Sequence, residues 1–244
     1  MQHAQQLWIT RLFNDAFAAP ANWLLGAIGV AHNTKRPWSD WMVCEILVVI
    51  FVLVFFAYMR RRLSVGKPSA LQHTLELTYE FLHAQTIEAA GEAGLKYLPF
   101  FGTIFFLVLF LNLIGLIPGF DSPTASAMVP LGFAVTTFIF YNALGMKKHK
   151  LGYIKQFAGP IPALIVLMLP IEIFSHFARM LSLTARLFAN MVAGEQVYLT
   201  FIALTKVFIP AIFVGLHLFV SLLQAYIFML LAMVYVGGAL TEEH

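Results

Sequence analysis

The chain has 244 residues, of which 60% are hydrophobic and only 11% charged, with a formal net charge of +3. With a mean hydropathy of +0.82, that composition excludes an ordinary soluble domain, so the unit to count is the apolar span of about 20 residues that crosses about 30 Å of hydrocarbon. One cysteine, Cys44, excludes an internal disulfide framework and a cysteine-based zinc site, and so few basic residues read as cytoplasmic anchors, with no nucleic-acid binding expected.

At the N-terminus, Arg11, Asn14 and Asp15 interrupt the apolar pattern, so no cleaved signal peptide is expected and residues 1–41 read as an extracytoplasmic segment. The first span covers 42–59, MVCEILVVIFVLVFFAYM, with Glu45 near one end as an interfacial anchor. Arg60, Arg61, Arg62 and Lys67 follow it and mark a cytoplasmic end. Residues 68–92 are too polar to cross. Pro68 and Ser69 open a helix there, with Leu71, Leu75, Thr78 and Leu82 on one face opposite Glu76, Glu80 and Glu88, the pattern of a helix lying at the membrane surface. Residues 97–146 form a two-span hairpin, Tyr97 to Phe120 and Met128 to Met146, turned at Asp121, Ser122 and Pro123. Lys147, Lys148, His149, Lys150 and Lys155 close it. Two crossings separate the two cationic clusters, so both belong on one side, and the intervening loop has no Lys or Arg, as the opposite side requires.

Residues 160–240 are apolar but interrupted by Glu172, Arg179, Arg186, Glu195 and Lys206. From Gln196 to Leu240 a continuous helix would extend about 68 Å, more than twice the hydrocarbon core. The expectation is a long, strongly tilted hairpin, with a turn at Gly194-Glu195, a kink at Pro210, and the C-terminus returned to the cytoplasm. The fold class is therefore all-α integral membrane, with about five membrane-embedded helices plus one amphipathic surface helix.

Within that hairpin Glu172, Ser175 or His176, Arg179, Ser182, Arg186 and Asn190 recur every three or four residues, which puts them on one stripe of one helix. His217, Ser221 and Gln224 share a face of the next, and Ala185, Ala189 and Ala193 form a small-residue ridge that lets another helix approach Arg186. A guanidinium at mid-membrane depth costs about 2.5 to 3.5 kcal/mol and cannot shed its proton. Its partner must carry negative charge. Glu195 does not face Arg186, so the spacing implies an external carboxylate presented by another subunit.

The segment LTARLFANMVAGE, followed by the His-x6-Gln of HLFVSLLQAYIFMLLAMVY and preceded by FLNLIGLIPG, resembles subunit a of F-type ATP synthases, closer to bacterial than to mitochondrial members, from the first span to the terminal EEH. The resemblance implies the stator proton-channel subunit of a rotary machine in the bacterial cytoplasmic (inner) membrane. It implies two offset half-channels, with Arg186 at the position of the family's arginine between them. It places Asn190, Glu195, His217 and Gln224 on the periplasmic half-channel and Glu172 and Ser175 on the cytoplasmic one. The partners so implied are the carboxylate of rotor-ring subunit c, peripheral stalk subunit b and the remaining subunits, with no cofactor or metal. After DSPT the chain reads ASAMVP where many relatives carry an Asn-Thr-rich segment, so Ser126 and Met128 inherit no role; Asp121 is an entrance candidate.

Other classes fit less well. A secondary proton-coupled transporter would also bury Arg, Glu and His but ordinarily shows repeated halves, which this sequence lacks. A voltage sensor needs several arginines at three-residue spacing, whereas Arg179 and Arg186 are seven apart. An enzyme would need a phosphate loop or a nucleophile with its base, and neither pattern occurs, so ATP chemistry would reside in partner subunits.

Overall fold

The computed structural model describes residues 7–28, 37–117, 119–149, 165–204 and 208–240, and among them there is no β-strand. Seven α-helices are described: α1 (Trp8–Ile28), α2 (Asp40–Arg62), α3 (Ala70–Gly94), α4 (Leu98–Leu113), α5 (Met128–His149), α6 (Ile165–Leu204) and α7 (Phe208–Leu240). Four helical stretches are long and apolar enough to cross a bilayer: Asp40–Arg62, Ala70–Leu116, Met128–Lys148 and Ala211–Leu240. The protein is an all-α membrane protein. α6 is also long and largely apolar, with Glu172, Arg179, Arg186 and Glu195 spread along it.

Several helix ends have a local cause. α2 carries Asp40 in its first turn and Arg60, Arg61 and Arg62 in its last, charges that oppose the helix dipole at both ends. α3 opens at Ser69, whose hydroxyl accepts from the Gln72 N–H at 3.2 Å. It breaks at Gly91, where φ is +68°, before the chain enters α4. α1 was not expected from the sequence. It holds Pro20 inside and breaks at Phe17, and the Phe17 carbonyl accepts from the Trp38 indole at 3.0 Å. The Asn14 amide bridges to the Trp38 backbone at 3.0 and 3.1 Å, fastening α1 to the segment before α2.

α7 is the central helix, packed against α3, α4, α5 and α6. Its buried Phe228, Met229, Met233 and Val236 meet Phe101, Phe105 and Val108 of α4, Tyr141 of α5, and Leu183, Leu187 and Met191 of α6. Small residues set the closest approaches. A Cβ at Gly237 would stand 2.6 Å from the Ala89 carbonyl of α3.

Two sequence expectations need correction. α6 runs through Gly194 and Glu195 without a turn, and Pro210 is the third residue of α7 instead of a kink. The described part of α6 ends at Leu204 and that of α7 begins at Phe208; residues 205–207 lie outside the described residues, as do Lys155, Lys206 and the terminal EEH. At 40 and 33 residues, α6 and α7 would extend about 60 and 50 Å, so both exceed the thickness they would have to span.

Candidate functional site

The stripe read from the sequence lies on α6 and divides by depth. His176 is buried, Ser175 and Arg179 are half-buried, and Ser182, Arg186 and Asn190 are exposed. Glu172 lies in the helix, and its side chain is outside the described residues. Ala185, Ala189 and Ala193 are exposed beside Arg186, so the arginine stands on an open small-residue face. The opposite side of α6, through Leu183, Leu187 and Met191, fills the core.

Arg186 has no hydrogen bond or ion pair with any described residue. Glu195 is on the same helix, nine residues away, about two and a half turns, so it faces about 180° from the guanidinium. The conclusion that Glu195 does not serve Arg186 therefore stands on helix phase, with no turn needed. Arg179 behaves otherwise: its guanidinium carbon lies 5.7 Å from the centre of the Tyr235 ring. Tyr235 is also within electrostatic reach of Arg186, which places both arginines around one phenol.

Across the α6–α7 interface Asn190 Nδ2 donates to Gln224 Oε1 at 2.8 Å, uniting two residues that the spacing assigned to different helices. Two turns away along α7, the His217 ring packs over Gly194, whose missing Cβ would lie 2.8 Å from His217 Nδ1. Glu195 is adjacent to this contact and within electrostatic reach of Asp121, on the α4–α5 connection. Among the described residues Glu195 and His217 share no hydrogen bond. Asp121 keeps an exposed edge, yet the protein around it withdraws water and raises its carboxyl above the usual carboxylate range, with a smaller contribution from the charge of Asp40. Three atoms on one face of α7 are buried without a hydrogen-bond partner: His217 Nε2, Ser221 Oγ and Gln224 Nε2.

Several polar residues at this site escaped sequence reasoning. Tyr141 of α5 bonds His176 Nδ1 at 2.8 Å and stacks on its ring. Tyr235 lies eleven residues beyond Gln224, about three helical turns, a phase that could have added it to the His217 face. Asn112, in the charge-free second span, is fully buried and touches α7. Glu45, read from the sequence as an interfacial anchor, lines an open cavity of about 490 Å³ between α2, α4 and α5 with Trp41, Thr103 and Thr136. No group of three or more potential metal ligands occurs among the described residues.

These features define a class: a helical membrane protein holding a permanent cation on an open helix face, beside a buried polar column on its neighbour. Residues 41–237 match the sequence profile of the ATP synthase A chain family, and the chain belongs to that family. It is 54% identical to ATP synthase subunit a of Solibacter usitatus over 96% of this chain and 100% of that one. With ATP synthase subunit a of Koribacter versatilis it shares 42% identity over 98% of both chains. A third relative, ATP synthase subunit a of a Sulfurihydrogenibium species, is 37% identical over 83% of this chain and 98% of its own.

Proposed function

We propose that this chain is the stator proton-channel subunit of a bacterial rotary ATP synthase, and that Arg186 releases the proton from a carboxylic acid carried past it by rotor-ring subunit c. The observation that carries the reading is an exposed guanidinium on a ridge of Ala185, Ala189 and Ala193, without an acidic partner among the described residues. A carboxylic acid facing lipid stays neutral because burial disfavours its charge, whereas a fixed cation within about 4 to 6 Å lowers its pKa by about 1 to 3. The ridge lets a partner helix come that close.

The proton then needs separate routes on the two sides. Asn190, Gln224, His217 and Glu195 would carry it inward from the extracytoplasmic face, with Asp121 near the mouth. Glu172 and Ser175 would carry it out to the cytoplasm. Arg186 between the routes repels a proton attempting the direct hop, so transfer goes by way of the rotating acid. The driving force is about 2.3 kcal/mol per charge per 100 mV. This chain itself carries no ATP chemistry in this reading; the catalytic subunits and the stalk subunit b complete the machine.

In membrane vesicles holding the assembled complex, Arg186→Ala is expected to abolish ATP-driven proton pumping while ATP hydrolysis by the detached catalytic part continues. Retained coupled pumping would overturn the assignment.

A further inference from the structure

The connection between α4 and α5 folds back onto the end of α4 so tightly that a Cβ at Gly115 would lie 2.7 Å from Ser122 Cβ. This brings three polar residues into the core: Asn112 and Thr124 are 0% exposed and Ser122 is 5% exposed. Their atoms form a chain. Ser122 Oγ lies 2.8 Å from Thr124 Oγ1 and 3.2 Å from the Leu111 carbonyl; Thr124 Oγ1 donates to Asn112 Oδ1 at 2.7 Å; and Asn112 Nδ2 donates to the Ser221 carbonyl of α7 at 3.4 Å.

Proton counting fixes its direction. A hydroxyl has one proton to give, and Asn112 Oδ1 can only accept, so the Thr124 proton goes to Asn112 and the Ser122 proton serves Thr124 or Leu111. Turning the Asn112 amide over would set its oxygen against the Ser221 carbonyl oxygen, which is repulsive. Thr124 and Ser221 together therefore hold the Asn112 NH2 group against α7. The residue it meets there belongs to the face with the partnerless atoms: Ser221 Oγ is itself buried, with His217 Nε2 about one turn to one side and Gln224 Nε2 about one turn to the other. Buried polar atoms of this kind are ordinarily satisfied by bridging water.

We propose that Thr124 is a positioning residue of the extracytoplasmic proton route: by orienting the Asn112 amide it provides a fixed donor on the α4 side for waters that bridge His217, Ser221 and Gln224. This rests on the stator reading above. Loss of the Thr124 hydroxyl leaves the Asn112 amide held from the Ser221 side alone, and the water path on that side loses its fixed edge.

The test is proton-driven ATP synthesis by the reconstituted complex, measured per assembled complex as pH on the inlet side is raised. Thr124→Val removes the hydroxyl at nearly constant shape and is expected to slow turnover about fivefold, the effect of one buried hydrogen bond. The deficit should deepen as inlet protons become scarce, and Thr124→Ser should restore turnover. A packing role alone would lower the amount of assembled complex without altering turnover or its pH profile. Wild-type turnover per complex in Thr124→Val, or equal impairment in Thr124→Ser, overturns the proposal. Should the valine variant not assemble, Thr124→Ala is put to the same two readings. Arg186→Ala run alongside separates the failures: coupling retained there sinks the stator reading, whereas coupling lost there with normal Thr124→Val sinks this proposal alone.

Discussion

At the residue scale the polar column on α7 depends on a glycine of α6. His217 is 8% exposed and its ring occupies the space that a side chain at 194 would take. Gly194→Ala would put a Cβ 2.8 Å from His217 Nδ1, and the ring is too enclosed to move aside freely. The forced shift costs about 1 to 3 kcal/mol, as overpacking does elsewhere. We expect coupled pumping per assembled complex to fall in this variant, while Gly215→Ala, whose Cβ would meet nothing within 4 Å, stays at the wild-type rate. Equal rates in both would mean that the ring's position is immaterial. The same contact explains what the sequence could convey. Arg186, Asn190, His217 and Gln224 were legible because charge and amide groups are rare in apolar helices and their spacing gives the phase. Gly194 was read as a turn signal, since a glycine before a glutamate looks alike whether it breaks a helix or admits a neighbouring ring. Thr124 was silent, because a hydroxyl in a loop has no period.

At the level of elements, the helices whose apolar runs end in charge clusters were legible: α2 and α5 have bounds close to those the sequence implies, whereas α4 starts as expected but ends at Leu113, seven residues before Phe120. α1 was missed because Pro20 and the polar Asn14 and Asp15 mask a helix whose stability comes from Trp38 and Asp40, outside it in sequence. The helix α3 was read from its amphipathic pattern, but the sequence could not say what covers its apolar face. In the structure α7 covers its C-terminal part, with Tyr226 Oη donating to Gln85 Oε1 at 2.7 Å, Met233 beside Thr86, and Gly237 against Ala89. These contacts fall within about one turn of α3, from Gln85 to Ala89, and are spread from Tyr226 to Gly237 along α7. The adjacent glycines of α7 isolate this contact. Gly237→Ala would place a Cβ 2.6 Å from the Ala89 carbonyl and 2.9 Å from Ala90 Cα, whereas Gly238→Ala meets nothing within 4 Å. Backbone on the receiving side cannot rotate away as a side chain can. Gly237→Ala is therefore expected to destabilise the packing by about 1 to 3 kcal/mol, seen as a lower melting temperature in detergent, and Gly238→Ala to leave it unchanged. A neutral Gly237→Ala would show that α3 is free to lift from α7.

At the scale of the whole molecule the question is sidedness. Lys148, at the end of α5, donates to the Leu240 carbonyl at the end of α7, so the C-terminal end of α7 shares a side with the basic end of α5. The break of α3 lies beside Gly237, on that same side, and the start of α3 is tied to the α2 linker by Gln72, which bonds both the N–H and the carbonyl of Ser64 at 3.0 Å. The basic end of α5 and the close of α7 thus lie together, and Asp121 and Glu195 are within electrostatic reach of each other. Excess Lys and Arg retain loops in the cytoplasm, so the basic ends of α2 and α5 are expected on the cytoplasmic side and the Asp121 loop on the other. The native thiol permits a direct check, because Cys44 is 0% exposed and leaves little background labelling. Val65, 104% exposed in the α2–α3 linker, and Ile117, 53% exposed after α4, are the reporters. With a membrane-impermeant maleimide, Val65→Cys should label in inverted vesicles and stay protected in right-side-out ones, and Ile117→Cys should do the reverse. Labelling of both from one side would mean that the stretch from α3 to α4 does not cross the membrane, and the two ends of the polar column would then open to the same compartment. No gradient could act across such a path, so this experiment bears on coupling as directly as on topology.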